Sequence, residues 1–236
     1  MSGLFHAEPS PGRDGRSTII LLTAPILVNL WKYGGSRAFF LTHGPLWIAL
    51  DDPEWAAAAY TCLTGLLLFG LIPIVIVKGV FRDPLSHYGL QVGDWQRGAR
   101  ALAVMVPVLI GVAFLAAKNP QLRAEYPWYR GAGGSLAIFA RYACLYGTYY
   151  AGYEILLRGF VQFGLGPQIG SWNAILVQTA ISSLFHIGTP PAESFSAILA
   201  GLLWGIVAFR SRSLLYGLVA HWVLGVSLDF FLCFTP

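Results

Sequence analysis

Six ionisable side chains sit inside apolar runs in the C-terminal half of the chain: Arg141, Glu154, Arg158, His186, His221 and Asp229. A charged group at mid-membrane costs roughly 2.5–3.5 kcal/mol on insertion scales, so such residues persist where they are paired or put to use. Glu154 and Arg158 are four residues apart, one turn of helix, which suits an ion pair. Tyr142, Tyr146, Tyr149 and Tyr153 recur at helical steps within one narrow sector. Such a stripe serves either as packing with satisfied hydroxyls or as the wall of a polar cavity. Thr179, Ser182, Ser183 and His186 share a second helical face, where small residues also permit close helix approach. On the last apolar run His221 lies between Gly217 and Gly225, with Asp229 two turns further on. One carboxylate and two imidazoles on three helices of one small bundle are more than isolated core residues call for, and they mark a candidate site. The same trio, His186, His221 and Glu154, also matches a two-histidine, one-carboxylate zinc set, although no H-E-x-x-H signature is present.

These residues need elements to hold them, and composition defines the setting. The 236 residues are 56% hydrophobic and 11% charged, against roughly 25% charged in soluble domains, so a water-soluble globule is excluded. The 15 Lys and Arg are scattered singly, without the stripe a nucleic-acid site needs, and no nucleic-acid partner is expected. Cys62, Cys144 and Cys233 lie in apolar runs and read as small buried residues. The expected fold is all-α: a polytopic transmembrane helix bundle of about seven spans. Residues 1–16 read as a solvated N-terminal tail and 17–236 as a single membrane domain. The spans are expected at Ser17–Trp31, Trp55–Val77, Ala101–Ala117, Ser135–Gly164, Ser171–Ile187, Glu193–Phe209 and Ser213–Phe234. Interleaved charges and aromatics over Gly79–Arg100 predict an amphipathic surface helix before the third span.

With these residues placed, a family resemblance emerges. Tyr153-Glu154-Ile155-Leu156-Leu157-Arg158-Gly159 resembles the Glu-Glu-x-x-x-Arg motif of the CPBP family, the CAAX protease and bacteriocin-processing (Abi) intramembrane endopeptidases. Ser182-Ser183-Leu184-Phe185-His186 is similar to its Phe-x-x-x-His motif, and His221-Trp222-Val223-Leu224-Gly225 to its His-x-x-x-Asn or Asp motif. Further similarity lies in Gly201-Leu202-Leu203-Trp204-Gly205, in the turn before His221 and in Tyr88-Gly89-Leu90, so a CPBP-like core is expected over about residues 80–234. Tyr153 takes the place of the family's first glutamate, Ser182 of its Phe and Gly225 of its Asn.

The resemblance implies an intramembrane endopeptidase that hydrolyses a peptide bond of a membrane-associated protein or peptide. It makes His186 the residue that orients or deprotonates water, His221 the oxyanion donor and Glu154 with Arg158 the structural clamp. Tyrosine, with a pKa of about 10, is a poor base at neutrality. Glu154 can replace the missing base only if the helix rotates or bulges there, for instance by a π-bulge. The alternative is a catalytically inactive relative that acts as a membrane binding or immunity-like protein. No cofactor is expected, with zinc as the alternative. The expected partners are membrane lipid and a protein or peptide substrate: a prenylated tail, a leader peptide or a sorting tail. The expected location is the plasma (inner) membrane of a prokaryote, crossed several times.

Overall fold

The computed structural model describes residues 13–44 and 51–235. Among them the chain is helical throughout, and the sole β-type pairing is an isolated bridge between Ile187 and Thr189. Helix α1 spans Arg13–Leu30 and continues as a π-helical turn, Trp31–Gly35. A short α2, Arg37–His43, follows. Helix α3, Pro53–Gly65, starts on Asp52, whose carboxylate accepts the Trp55 amide, with Pro53 at the first helical position where its missing N–H costs nothing. It runs on through π-helical Leu66–Leu71, α4 (Ile72–Val75) and π-helical Ile76–Phe81 as one rod. Pro73 lies inside that rod, and the widened turns accommodate its missing donor. Helix α5 is Trp95–Ala116, α6 Pro120–Glu125 and α7 Leu136–Glu154. The chain of α7 continues as a nine-residue π-helical stretch, Ile155–Phe163, and then α8, Gly164–Ile169. Helices α9 (Ser171–Phe185), α10 (Pro191–Ser211) and α11 (Leu215–Phe234) complete the bundle.

Four of the expected spans are helices long and apolar enough to cross a membrane: Pro53–Phe81, Trp95–Ala116, Pro191–Ser211 and Leu215–Phe234. Apolar side chains cover the outside, as on α5, where Val104 and Leu115 are 70% and 65% exposed. The centre is aromatic and polar instead: Tyr142, Tyr146, Tyr149, Tyr150, Tyr153, Glu154 and Arg158 are all buried. That inside-out distribution is what a lipid solvent selects, and it identifies an integral membrane protein.

Two expectations are corrected. Most of the predicted N-terminal tail lies outside the described residues, but Arg13–Arg16 form the first turn of α1, and Arg16 pairs with Asp83 at 2.6 Å. That guanidinium holds the Asp83 carboxyl below its ordinary range. The predicted surface helix over Gly79–Arg100 is divided: its ends belong to the α3 rod and to α5, and between Phe81 and Trp95 the chain forms a connection with a four-residue 3-10 turn, Leu85–Tyr88. Pro84 and two left-handed glycines, Gly89 and Gly93, prevent a continuous helix. The connection is sewn to the turn between α10 and α11: Leu214 N donates to Gly89 O at 3.0 Å, Asp94 N to Ser211 O at 2.7 Å and the Tyr216 hydroxyl to Val92 O at 3.0 Å. A Cβ on Gly93 would lie 2.1 Å from Ser211 O, so the close approach requires glycine. These bonds set the height and rotation at which α11 enters the bundle.

Helix α7 meets the α3 rod backbone to backbone at Gly152, where an added Cβ would lie 2.7 Å from Gly65 O and 3.0 Å from Leu66 Cα. A Cβ on Gly111 of α5 would meet nothing within 4 Å. Gly152→Ala should therefore lower stability in detergent by about 1–3 kcal/mol through overpacking. Gly111→Ala should leave stability unchanged or raised. Thermal denaturation of the two variants side by side tests this, and equal melting temperatures would refute the tight packing at Gly152.

Candidate active site

Glu154 is the last residue of α7 before the π-helical stretch, and its side chain is fully buried. Its Oε1 accepts two bonds, from Arg158 Nη1 at 3.0 Å and from His221 Nδ1 at 2.8 Å. Its Oε2 has no hydrogen-bond partner, and Gly217 lies against it, where a Cβ would stand 3.1 Å away. The i, i+4 pair read from the sequence is thus a buried clamp that reaches across to α11. Arg158, 1% exposed, also lies 5.8 Å from the Tyr153 ring centroid. A carboxylate only accepts, so His221 Nδ1 carries its proton. The imidazole is held on its other sides by Tyr150, Tyr153 and Trp204, with ring centroids 4.6, 5.3 and 5.8 Å away.

His186 caps the C-terminus of α9, and its Nδ1 donates to Ser182 O at 2.7 Å. A carbonyl only accepts, so in the neutral imidazole Nε2 is left as a lone-pair acceptor. The His186 carbonyl receives the Ser194 and Thr189 hydroxyls at 2.7 and 2.8 Å, which ties this histidine to the start of α10. Tyr153 packs against both His186 and His221, its ring at 76° and 79° to theirs, with centroids 6.4 and 5.3 Å away. Both histidines line one cavity of about 230 Å³, together with Tyr146, Tyr149, Tyr150 and Tyr153 of α7. The tyrosine stripe is therefore largely a cavity wall. Its outermost member, Tyr142, serves packing instead, donating to the buried Asp229 at 3.1 Å. Thr179 likewise serves close packing, since a Cβ on Gly201 would lie 2.9 Å from its methyl carbon.

Of the expected site residues, His186 and His221 face the cavity, whereas Glu154 and Arg158 lie behind it. The bulge after Glu154 exists, but the carboxylate is enclosed by Arg158 and His221 and takes no part in the lining. Among the described residues, no three His, Cys, Asp or Glu side chains are grouped as a metal ion requires.

The departures from the motifs are in contact with each other or filled by a neighbour. The Tyr153 hydroxyl hydrogen-bonds Ser182 Oγ at 2.8 Å, so the tyrosine in place of the motif glutamate reaches the serine in place of the motif Phe. A Cβ on Gly225 would lie 1.9 Å from Tyr150 Oη, so a phenol occupies the space of the motif asparagine.

Several cavity residues escaped the sequence reading, Tyr150 and Glu193 among them. Tyr150 lies off the spaced stripe and was obscured by Tyr149. Glu193 looked like the polar start of a span, yet it lines the cavity, accepts the Tyr126 hydroxyl on Oε1 at 2.7 Å and places that oxygen 3.8 Å from His186 Nε2. The signal available was the Gly188-Thr189-Pro190-Pro191 break, which turns the chain back beside His186.

Residues 135–226 match the family model described as Type II CAAX prenyl endopeptidase Rce1-like. The match begins at Ser135, whose hydroxyl caps α7, and ends one residue past Gly225, so it encloses all three motif regions. No curated protein and no solved structure matches the chain. The family match and the motif resemblance fall on the same helices.

Removing Arg158 would leave a buried carboxylate with one donor fewer. Arg158→Ala should lower stability by about 3–5 kcal/mol, and the double variant Glu154→Gln with Arg158→Met should recover part of that loss. Detergent melting temperatures and folded yield read both, and an Arg158→Ala protein as stable as wild type would show that the clamp carries no load.

Proposed function

We propose that the protein is an intramembrane endopeptidase of the CAAX-processing type, working from the plasma membrane of a prokaryote on a membrane-associated protein or peptide. The observation that carries this reading is the meeting of His186 and His221, from α9 and α11, in one tyrosine-walled cavity, with His221 fixed from behind by the Glu154–Arg158 clamp. The family match over residues 135–226 supports the same reaction class.

In this reading a water molecule on the His186 side attacks the substrate carbonyl, and His186 Nε2, whose lone pair is free to accept, holds it. The oxyanion develops on the His221 side. His221 in its imidazolium form donates from Nε2, while Nδ1 stays fixed on Glu154 Oε1. The Tyr150 hydroxyl, standing where the family's asparagine would project, is placed to be the second donor. Glu154 acts through His221, as the group that sets its ring and tautomer, and Arg158 keeps that carboxylate in place. These are proton and hydrogen-bond roles, and none assigns a ligand position to a metal.

The test is cleavage of fluorogenic peptides, prenylated tails ending in a CAAX-type sequence and unprenylated leader-type peptides, by purified protein in lipid. His186→Ala and His221→Ala should each lower kcat by about 100-fold or more with the fold retained, and a chelator should leave the rate unchanged. Gly225→Asn, which restores the motif residue, should lower turnover, because its side chain would displace the Tyr150 hydroxyl. Wild-type protein that cleaves no peptide would favour the inactive, binding relative. Activity lost on chelation would favour the zinc alternative.

A further inference from the structure

We infer that Glu193 is a catalytic carboxylate of this site, holding and deprotonating the attacking water together with His186, in place of the motif carboxylate that Tyr153 has replaced. The inference rests on the proposed peptide hydrolysis and adds to it a residue outside all three motif regions.

Four observations converge on it. Glu193 lines the same cavity as His186 and His221. Its Oε1 stands 3.8 Å from His186 Nε2. The Nδ1 proton of His186 is committed to Ser182 O, so Nε2 and the carboxylate oxygen are two acceptors facing one another. That separation suits a single water donating one hydrogen to each. Finally, Glu193 Oε2 is buried without a hydrogen-bond partner. The neighbouring Thr189 hydroxyl has one proton and gives it to the His186 carbonyl at 2.8 Å. Glu193 Oε1 is positioned by the Tyr126 hydroxyl at 2.7 Å, which fixes the carboxylate without neutralising it.

Glu154 does not compete for the role. Both bonds to its carboxylate are made by Arg158 and His221, and it lies outside the lining of the cavity. Tyr153 cannot supply a base either, since its hydroxyl is engaged with Ser182 Oγ.

The step balances with water as the only co-reactant. As the water oxygen bonds to the carbonyl carbon, one of its protons passes to Glu193, and the carbonyl π electrons move to the oxyanion beside His221 and Tyr150. On collapse the oxyanion re-forms the carbonyl and the C–N bond breaks. The proton on Glu193 passes to the leaving nitrogen, giving an amine and a carboxylic acid and returning Glu193 to its carboxylate form.

Glu193→Gln isolates this role, because the amide oxygen can still accept the Tyr126 hydroxyl while basicity is lost. Wild type, Glu193→Gln and Glu193→Asp are assayed in lipid on a peptide with a farnesylated cysteine four residues from its C-terminus and on its unprenylated counterpart. Glu193→Gln should lose about 100-fold or more in kcat, with KM within about threefold and the melting temperature unchanged, while Glu193→Asp keeps turnover above that of Glu193→Gln. If Glu193→Gln does not fold, Glu193→Asp against Glu193→Asn makes the same comparison. A kcat for Glu193→Gln within about threefold of wild type, or equal losses in the carboxylate and amide variants, overturns the assignment of Glu193 and leaves the peptidase reading standing. Wild type inactive on both peptides, with leader-type peptides equally uncut, overturns both.

Discussion

One carboxylate oxygen, Glu154 Oε1, joins Arg158 and His221, and the architecture of the site depends on it. A lone ionised carboxylate inside an apolar bundle carries a desolvation penalty that only a charged partner and further hydrogen bonds offset. Arg158 supplies the charge from one turn along the same chain, and His221 supplies the second bond from another helix. The ion pair is therefore both a local clamp and the contact that fixes the face α11 presents. Gly217 is part of that contact, because any side chain there would press on the second carboxylate oxygen. The bonds from the Gly89–Asp94 connection to the α10–α11 turn act at the other end, setting where α11 begins.

The motif departures gain a physical meaning when seen as neighbours. Tyr153 is larger than the glutamate of the motif it resembles, and Ser182 is smaller than the motif Phe; the phenol reaches the serine and bonds to its hydroxyl. Gly225 lacks a side chain, and the Tyr150 hydroxyl fills that space. In both cases a phenol fills the space beside a small residue, as a close-packed interior demands. The departures leave His186 and His221 both packed against Tyr153.

A bundle in lipid can place polar chemistry only in its interior, because the exterior must match hydrocarbon. Here the interior is supplied by α7 and its π-helical continuation. The wider turn of Ile155–Phe163 follows directly on Glu154, so the buried faces before and after it are rotated relative to a regular helix. This geometry keeps the tyrosines on the cavity and the Glu154–Arg158 pair behind it. The break at Gly188–Pro191 then returns the chain so that Glu193 faces His186 across the same space.

Much of this was legible in the residues alone, where the cause was local. Helices from 53 onward follow from apolar runs, caps such as Ser135 and breaks at proline and glycine, and the Glu154–Arg158 pair follows from a spacing of one turn. That His186 and His221 would be partnered was legible too, since an imidazole in an apolar run must find a hydrogen bond. What spacing could not decide was which side of a helix meets which neighbour. Placing Glu154 behind the cavity, Tyr150 over Gly225 and Glu193 opposite His186 depends on contacts between residues 67, 75 and 7 positions apart, or on a chain reversal, and periodicity carries no information about them. The stretch between Phe81 and Trp95 failed as a helix for the same reason: backbone groups of Gly89, Gln91, Val92 and Asp94 bond to residues of the α10–α11 turn and the start of α11, more than 100 residues away in the chain. Local propensity and hydrophobic period determine the elements, while hydrogen bonds and close packing between distant segments determine the site.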